Sequence, residues 1–162
     1  MAVVESSFFV RAPLEAVWEF HNDPRALPAI MPRLFGLRIE QFDAPMRAGS
    51  RVTLSMGAGP LRRRWVLQVI AHEPPRQFVD EQLPGQGPFK RWRHTHRFEP
   101  ASGGARVIDR IEYELPFGAL GRMAAAIGGA LMMRLIFASR QTATRKALEP
   151  AACSGTTTGV SV

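Results

Sequence analysis

The 162-residue sequence predicts an α+β fold in which a curved, seven-stranded antiparallel sheet wraps around a long C-terminal helix. Three observations predict this fold. Between residues 35 and 115 apolar and polar residues alternate, which is the period of a half-buried strand. Turns rich in Gly and Pro divide this alternation into short segments. After residue 119 the apolar spacing changes to three and four residues, which is the period of a helix.

The chain opens with a predicted strand over Val3–Val10, which is rich in Val and Phe. Two short helices are expected after it. Pro13 suits the first turn of the first helix because its missing N–H is not needed there. Asp23-Pro24 begins the second helix, which stops by Pro32.

Six further strands complete the predicted sheet. They span Phe35–Phe42, Ser50–Met56, Leu61–Ala71, Phe78–Leu83, Phe89–Phe98 and Ala105–Leu115. Pro116 lacks the N–H that a strand ladder needs, so the last strand stops at Leu115. An antiparallel sheet that buries one face and leaves the other in water explains the alternation.

The last element is a helix predicted over Ala119–Leu148, which Pro150 ends. Its apolar residues recur at Leu120, Met123, Ile127, Leu131 and Leu135. The basic residues near its end complement the helix dipole; they are Arg140, Arg145 and Lys146. We expect one ligand-binding domain over residues 1–149 and a disordered tail over residues 150–162.

Composition narrows the class of protein. The formal net charge is +7, and 22% of residues are charged. The single cysteine, Cys153, excludes an internal disulfide and a Cys-rich metal site. The N-terminus lacks the pattern of a signal peptide, and the longest apolar segment is shorter than the ~20 residues that a membrane span needs. We therefore expect a soluble, cytoplasmic protein, either a monomer or a homodimer.

Two neighbouring strands around residues 78–98 carry the most informative pattern. One face of the later strand is aromatic and imidazole, with Trp92, His94, His96 and Phe98. The opposite face carries Arg91, Arg93, Thr95 and Arg97. The earlier strand places Phe78, Asp80 and Gln82 on one side. Because buried polar groups are costly unless hydrogen-bonded, polar groups on an aromatic face predict the lining of a pocket.

The turn at residues 101–104 fixes how the last two strands pair. If it centres on Ser102-Gly103, His96 lies opposite Asp109, whereas a slip by two residues places His94 there. Either histidine could then act as a general acid or base with Asp109, anchor a ligand carbonyl, or simply hold the hairpin together. We favour one of the last two roles over catalysis.

The charged residues allow two other interpretations. His94 and His96 with Asp80 or Asp109 match a two-His-one-carboxylate metal site, but the spacing is not diagnostic and we expect no metal and no cofactor. The arginines of the outer strand faces could contact phosphates or acidic lipid headgroups; they are Arg62, Arg64, Arg91, Arg93, Arg97, Arg106 and Arg110. We favour a solvated face, with at most weak contact with an anionic membrane. No specific nucleic-acid binding is expected, because aromatic residues do not interleave on this face.

With these residues in hand, the chain resembles the SRPBCC superfamily, the helix-grip fold of START lipid-transfer domains, the major birch pollen allergen and polyketide cyclases. The resemblance rests on the first strand and helix, from Phe8 to Trp18, and on a pattern of four motifs. These are Asp80 and Gln82; Gly87, Pro88 and Phe89; Trp92, His94, His96 and Phe98; and Asp109, Ile111, Tyr113, Leu115 and Pro116. The pattern is typical of a bacterial ligand-binding, polyketide cyclase-like subgroup. The resemblance implies a cavity for a hydrophobic or amphipathic molecule, and it does not imply one activity.

The leading hypothesis is a carrier or sensor that binds a small hydrophobic or amphipathic molecule, such as a lipid, quinone or polyketide, between sheet and helix. The predicted ligand-binding residues are Leu54, Met56, Trp65, Phe78, Asp80, Gln82, Trp92, His94, His96, Tyr113, Met123, Ile127 and Leu131. The second hypothesis is a cyclase or dehydratase, with His94, His96 and Asp109 as catalytic candidates. The third is a module that binds an anionic surface or a partner protein.

Overall fold

The structure is a computed structural model, which describes residues 1–116, 118 and 128–149. It confirms the predicted fold class. Seven antiparallel strands form one sheet; they are β1 (Ala2–Val10), β2 (Arg38–Phe42), β3 (Arg51–Met56), β4 (Arg63–Glu73), β5 (Gln77–Gln82), β6 (Arg91–Ala101) and β7 (Gly104–Glu114). The helices are α1 (Leu14–Asn22), α2 (Leu27–Ile30) and α3 (Ala130–Leu148).

The sheet order is β1-β7-β6-β5-β4-β3-β2, so only the pairing of β1 with β7 departs from chain order. The pairing of β6 with β7 follows the first predicted register. The strands turn between Ala101 and Gly104, which places His96 opposite Asp109 and Trp92 opposite Tyr113. Both strands therefore direct their aromatic and polar residues to the inner face of the sheet.

Two predicted strands begin later than the alternation suggested. Single turns of 3₁₀-helix occupy Arg33–Phe35 and Gly59–Leu61, so β2 begins at Arg38 and β4 at Arg63. Gly36 ends the first turn with a φ of 52°, a conformation that glycine adopts without steric cost. A Cβ atom at Gly36 would also lie 2.8 Å from the carbonyl oxygen of Gly57, which shows how closely the two turns pack.

The interior has two parts. Trp18 on α1 packs edge-on against Phe78 and Phe98 and fills one end. Towards β3 and β4 a second apolar cluster includes Leu54, Trp65, Trp92, Tyr113, Met133 and Phe137. A cavity lies among the residues of this second part.

Helix α3 uses a different face from the predicted one. Leu131 and Leu135 are 62% and 51% exposed. The buried residues instead recur at Met133, Phe137, Arg140 and Thr144, which is also a spacing of three and four. The prediction was wrong here because the apolar content of the helix is broad, so several faces fit the same period. The helix start at Ala119, with Leu120, Met123 and Ile127, lies outside the described residues.

Among the described residues, no helix is long and apolar enough to cross a membrane.

Candidate functional site

A cavity of about 120 Å³ lies between the inner face of the sheet, α2 and α3. Most of its wall is apolar. The apolar lining includes Met31, Phe35, Leu37, Met46, Val52, Leu54, Met56, Trp65, Leu67, Phe78, Phe89, Trp92, Ile111, Met132, Ile136 and Phe137. Asp80, His94, His96 and Arg140 line the same cavity, with His21 and Asn22 nearby on α1. The cavity therefore has apolar walls and a polar region contributed by β5, β6 and α3.

His96 is the centre of this polar region. Its Nε2 lies 2.8 Å from Oδ2 of Asp80, and its Nδ1 lies 2.9 Å from Nη2 of Arg140. When the ring proton is on Nε2, the ring donates to Asp80 and accepts from Arg140, so both nitrogens are satisfied. The ring also stacks on Phe78, with centroids 4.0 Å apart. These contacts fix both the position and the plane of the imidazole.

Asp109 connects both histidines to the helix. Its Oδ1 lies 3.1 Å from Nε2 of His94 and 3.2 Å from Nδ1 of His96. Its Oδ2 lies 2.8 Å from Nε of Arg140. Because Asp109 and Arg140 are both buried, this ion pair is shielded from water and joins β7 to α3.

The two carboxylates remain ionised. Burial alone would raise the pKa of Asp109, but the charge of Arg140 and the hydrogen bond from His94 hold that pKa well below its usual value. Burial likewise opposes ionisation of Asp80, but the hydrogen bond from His96, together with the electrostatic contributions of both histidines and Trp92, outweighs it and lowers the pKa. Each carboxylate therefore carries its charge inside the protein because cationic or N–H partners surround it.

His94 and His21 are uncharged at neutral pH. Burial, aided by the adjacent His96, lowers the pKa of His94 to about 4, although Asp109 acts in the opposite direction. Burial and the charge of Arg140 also place the pKa of His21 well below its usual value. A neutral His94 that donates from Nε2 to Asp109 carries a lone pair on Nδ1. His94 can thus accept a hydrogen bond from a hydroxyl group or water.

Some buried polar atoms near the cavity have no hydrogen-bond partner within the described part of the chain. They are Oδ1 of Asp80, the indole N–H groups of Trp65 and Trp92, and Nδ1 of His21. The indole N–H of Trp92 helps to lower the pKa of Asp80, although the two groups are not aligned as a hydrogen bond. Buried polar groups in native proteins are usually paired, so this region has capacity for further hydrogen bonds.

The structure brings most of the predicted ligand-binding residues to the cavity. Leu54, Met56, Trp65, Phe78, Asp80, Trp92, His94 and His96 line it. Tyr113 is buried opposite Trp92 in the sheet, and the cavity lining does not include it. Exposed Leu131 is also not part of the lining, because α3 presents another face. Met123 and Ile127 lie outside the described residues.

Gln82 is a structural residue rather than part of the wall. Its side-chain amide donates to the carbonyl of Phe89 and accepts from the N–H of Phe89 at 3.2 Å. A Cβ atom at Gly87 would lie 2.1 Å from Oε1 of Gln82 and 2.4 Å from the ring of Trp65. The glycine is therefore required by close packing, and Gln82 closes the loop that brings Phe89 to the cavity.

Arg140 contributes to the polar region of the cavity and was missed by the sequence prediction. The prediction assigned it to the helix dipole, whereas it is buried against Asp109 and His96. One signal could have identified it. Arg140 continues the buried spacing of Met133 and Phe137, and a charged residue on a buried helix face needs a partner.

The same polar residues include a group that could hold a metal ion. The ligand atoms of Asp80, His94 and His96 lie within 4.8 Å of one another. A divalent ion here would replace the hydrogen bond between His96 and Asp80 and would lie close to the guanidinium of Arg140. The positive charge of Arg140 therefore favours the hydrogen-bonded arrangement over a metal centre.

The outer face of the same strands is balanced in charge. Arg93 lies opposite Glu112 and forms a 3.0 Å ion pair with Glu81. Arg110 pairs with Glu112, and Lys90 with Glu114. This interleaving of charges agrees with the predicted solvated face.

Solved structures of similar shape support the fold. Protein CV1439 from Chromobacterium violaceum has a TM-score of 0.72 at 18% identity, with 91% of this chain and 97% of that chain covered. TTHA0849 from Thermus thermophilus has a TM-score of 0.69 at 20% identity, with 90% and 99% covered. The di-domain ARO/CYC BexL from the BE-7585A biosynthetic pathway also has a TM-score of 0.69, at 18% identity; 93% of this chain corresponds to 48% of that protein.

The profile of the polyketide cyclase/dehydrase and lipid transport family matches residues 10–137. The chain belongs to this family, which confirms the resemblance drawn from the sequence motifs. No curated protein matches the sequence at a significant level. Membership suggests hydrophobic ligand binding or cyclase activity, and the geometry of the site must distinguish between them.

Proposed function

We propose that the protein binds a small, largely apolar molecule in the cavity between sheet and α3, and acts as a carrier or sensor. The observation that carries this proposal is the division of the cavity into a broad apolar wall and one polar region at Asp80, His94, His96 and Arg140. Apolar walls supply affinity, and a few fixed polar groups orient a guest.

The size of the cavity limits the guest. A cavity of about 120 Å³ suits a molecule or a group of about the size of benzene, since an engineered apolar cavity of ~150 Å³ binds benzene. A longer lipid or quinone would require the wall to move. Four methionines line the cavity, and their flexible side chains can adapt to such a guest; they are Met31, Met46, Met56 and Met132.

Two probes of similar size test the proposal by calorimetric titration. Toluene fits the apolar wall only, whereas phenol can also donate its hydroxyl proton to the polar region. Both should bind, and phenol should bind more tightly by about fivefold, the value of one net hydrogen bond. Failure of both probes to bind would refute the proposal, and equal affinities would refute the orienting role of the polar region.

A matched pair of variants on α3 provides the control. Ile136→Phe adds volume to a residue of the cavity wall, so we expect it to weaken toluene binding at least about tenfold. Leu135→Phe makes the same type of change at an exposed neighbour and should leave binding unchanged. Native mass spectrometry of the protein as purified would identify a resident guest.

Catalysis by a cyclase- or dehydratase-type mechanism is the second candidate. It is favoured by the 3.1 Å pair between His94 and Asp109 on the cavity wall, an arrangement in which a carboxylate orients a histidine base. However, a pKa of about 4 makes His94 a weak base at neutral pH, where a base with a pKa near 7 is most effective. We therefore place binding first.

Loss of water from a small β-hydroxy ketone would test catalysis, since the enone product absorbs in the ultraviolet. Turnover that His94→Gln abolishes, with toluene affinity retained, would favour the enzyme. Without turnover above the buffer rate, the carrier or sensor proposal stands.

A further inference from the structure

The two most exposed large apolar side chains of the described residues are Leu34 and Leu61, at 86% and 74%. Both lie in the single 3₁₀ turns that precede strands β2 and β4. The N–H of Gly57 donates to the carbonyl of Phe35 at 2.8 Å, and Nη1 of Arg62 donates to the carbonyl of Gly36 at 3.1 Å. The two turns therefore form one surface, which we call the leucine rim (residues 33–36 and 57–62).

The leucine rim adjoins the cavity. Phe35 directly follows Leu34 and lines the cavity wall, and so does Met56, which precedes the turn that carries Leu61. Exposed leucines next to a ligand cavity are unfavourable in water unless another apolar surface covers them. Any apolar surface that covers the leucine rim would therefore also lie next to the cavity wall.

The charges around the leucine rim indicate what covers it. Residues 31–38 and 57–64 contain five arginines and no acidic residue; the arginines are Arg33, Arg38, Arg62, Arg63 and Arg64. The nearby Glu40 accepts a hydrogen bond from Ser55. On the outer face of β6 and β7, in contrast, acidic residues interleave with the arginines. Two exposed leucines on turns that carry arginines and no acidic residue match a bilayer that has an acyl interior and anionic headgroups.

We propose that the leucine rim docks the protein onto an anionic lipid bilayer. Leu34 and Leu61 enter the interfacial region while the surrounding arginines contact the headgroups. Docking places the cavity wall at the membrane surface. The proposal concerns this surface alone and does not depend on the identity of the guest.

Co-flotation with vesicles tests the proposal, in phosphatidylcholine alone and in phosphatidylcholine mixed with phosphatidylglycerol. We expect binding to the mixed vesicles at low ionic strength, weaker binding at about 0.1 M salt, where the Debye length is about 10 Å, and little binding to phosphatidylcholine alone. Failure to bind the mixed vesicles at low salt would overturn the proposal, as would equal binding to both vesicle types.

Variants separate the apolar contribution from the cationic one. Leu34→Gln combined with Leu61→Gln, which adds no charge, should lower binding at least about tenfold, since burial of each leucine is lost. Arg33→Glu combined with Arg63→Glu, both exposed, should lower it about twentyfold or more, because each arginine near the surface contributes about fivefold. Arg62 is left unchanged because it holds the two turns together through Gly36 and Ser55.

Matched controls use the same substitutions elsewhere on the surface. Ile70→Gln changes a 41% exposed apolar residue at the far end of β4. Arg97→Glu combined with Arg106→Glu gives the same change in net charge on the outer sheet face. Both controls should retain binding within about twofold of the parent protein. If they lose as much binding as the rim variants, the attraction is a property of net charge and the proposal is wrong.

Discussion

The two faces of strand β6 both carry titratable groups, but in opposite surroundings. On the inner face, His94 and His96 are enclosed with Asp80, Asp109 and Arg140, and burial shifts pKa values there. On the outer face, Arg93 pairs with a half-exposed Glu81. A buried charge that loses its partner costs several kcal/mol, whereas an exposed pair contributes about 1 kcal/mol or less. The comparison shows that burial, rather than the number of charges, determines how much each charged residue contributes to the free energy of unfolding.

The largest effect is expected when the inner network loses Asp109. Asp109→Leu leaves the guanidinium of Arg140 buried without a carboxylate, so the free energy of unfolding should fall by about 3–5 kcal/mol. Urea denaturation measures it. Glu112→Gln, which removes a carboxylate from the outer face of the same strand, should cost about 1 kcal/mol or less. Similar losses in the two variants would contradict the comparison.

Acid should destabilise the inner face before the carboxylates titrate. The pKa of His94 is about 4 in the folded protein and about 6.5 when unfolded, so the unfolded chain binds the extra proton between these values. Stability from this group is complete above pH ~6.5 and is lost as the pH falls towards 4, by about 3 kcal/mol in all. Asp80 and Asp109 act in the same direction at lower pH, because their pKa values are also lowered.

Unfolding by urea at a series of pH values checks this expectation. In His94→Gln the loss between pH ~6.5 and 4 should shrink by about 3 kcal/mol, since glutamine does not titrate, while the part that comes from His21 remains because its pKa is also lowered. An unchanged pH profile in that variant would assign the effect to another group.

Removing both members of the ion pair should be milder than removing one. Asp109→Leu combined with Arg140→Met leaves no lone buried charge, so we expect a loss of about 2 kcal/mol, mainly from the unpaired histidines. A double-mutant cycle with the two single variants measures the coupling. Additive losses would mean that the 2.8 Å contact contributes little.

The smallest effect is expected on the outer face. Arg93→Gln should change the free energy of unfolding by less than about 1 kcal/mol, and added salt should remove most of the difference. A salt-independent loss of several kcal/mol would show that this pair is shielded from solvent and would undo the contrast between the faces.

The sequence was sufficient for features that depend on short-range patterns. Alternation identified the inner face of β6 and limited the pairing of β6 with β7 to two registers, of which the structure shows the one that places His96 opposite Asp109. In the sequence, Gly87 is recognisable only as part of a motif. The structure shows why a glycine is needed there, because a Cβ atom would clash with Trp65 and Gln82.

Features that depend on long-range packing could not be predicted in the same way. Arg140 meets His96 across 44 residues of sequence, and no local pattern fixes which face of α3 turns towards the sheet. The helical period fits both the exposed Leu131 and Leu135 and the buried Met133 and Phe137. Only the position of Asp109 on β7 decides between them, because a buried carboxylate attracts a cationic partner.

The ion pair between Asp109 and Arg140 has a consequence for the rate at which a guest exchanges. Helix and sheet cannot separate at this point without breaking buried charge contacts, so opening there is a rare event. The part of the cavity wall near β2 and β3 contains methionines, and its described lining residues include no such ion pair. This part of the wall can therefore fluctuate at a lower cost in free energy. We therefore expect guest dissociation to follow motions of that wall, with amide hydrogen exchange faster in β2 than in β6 and β7.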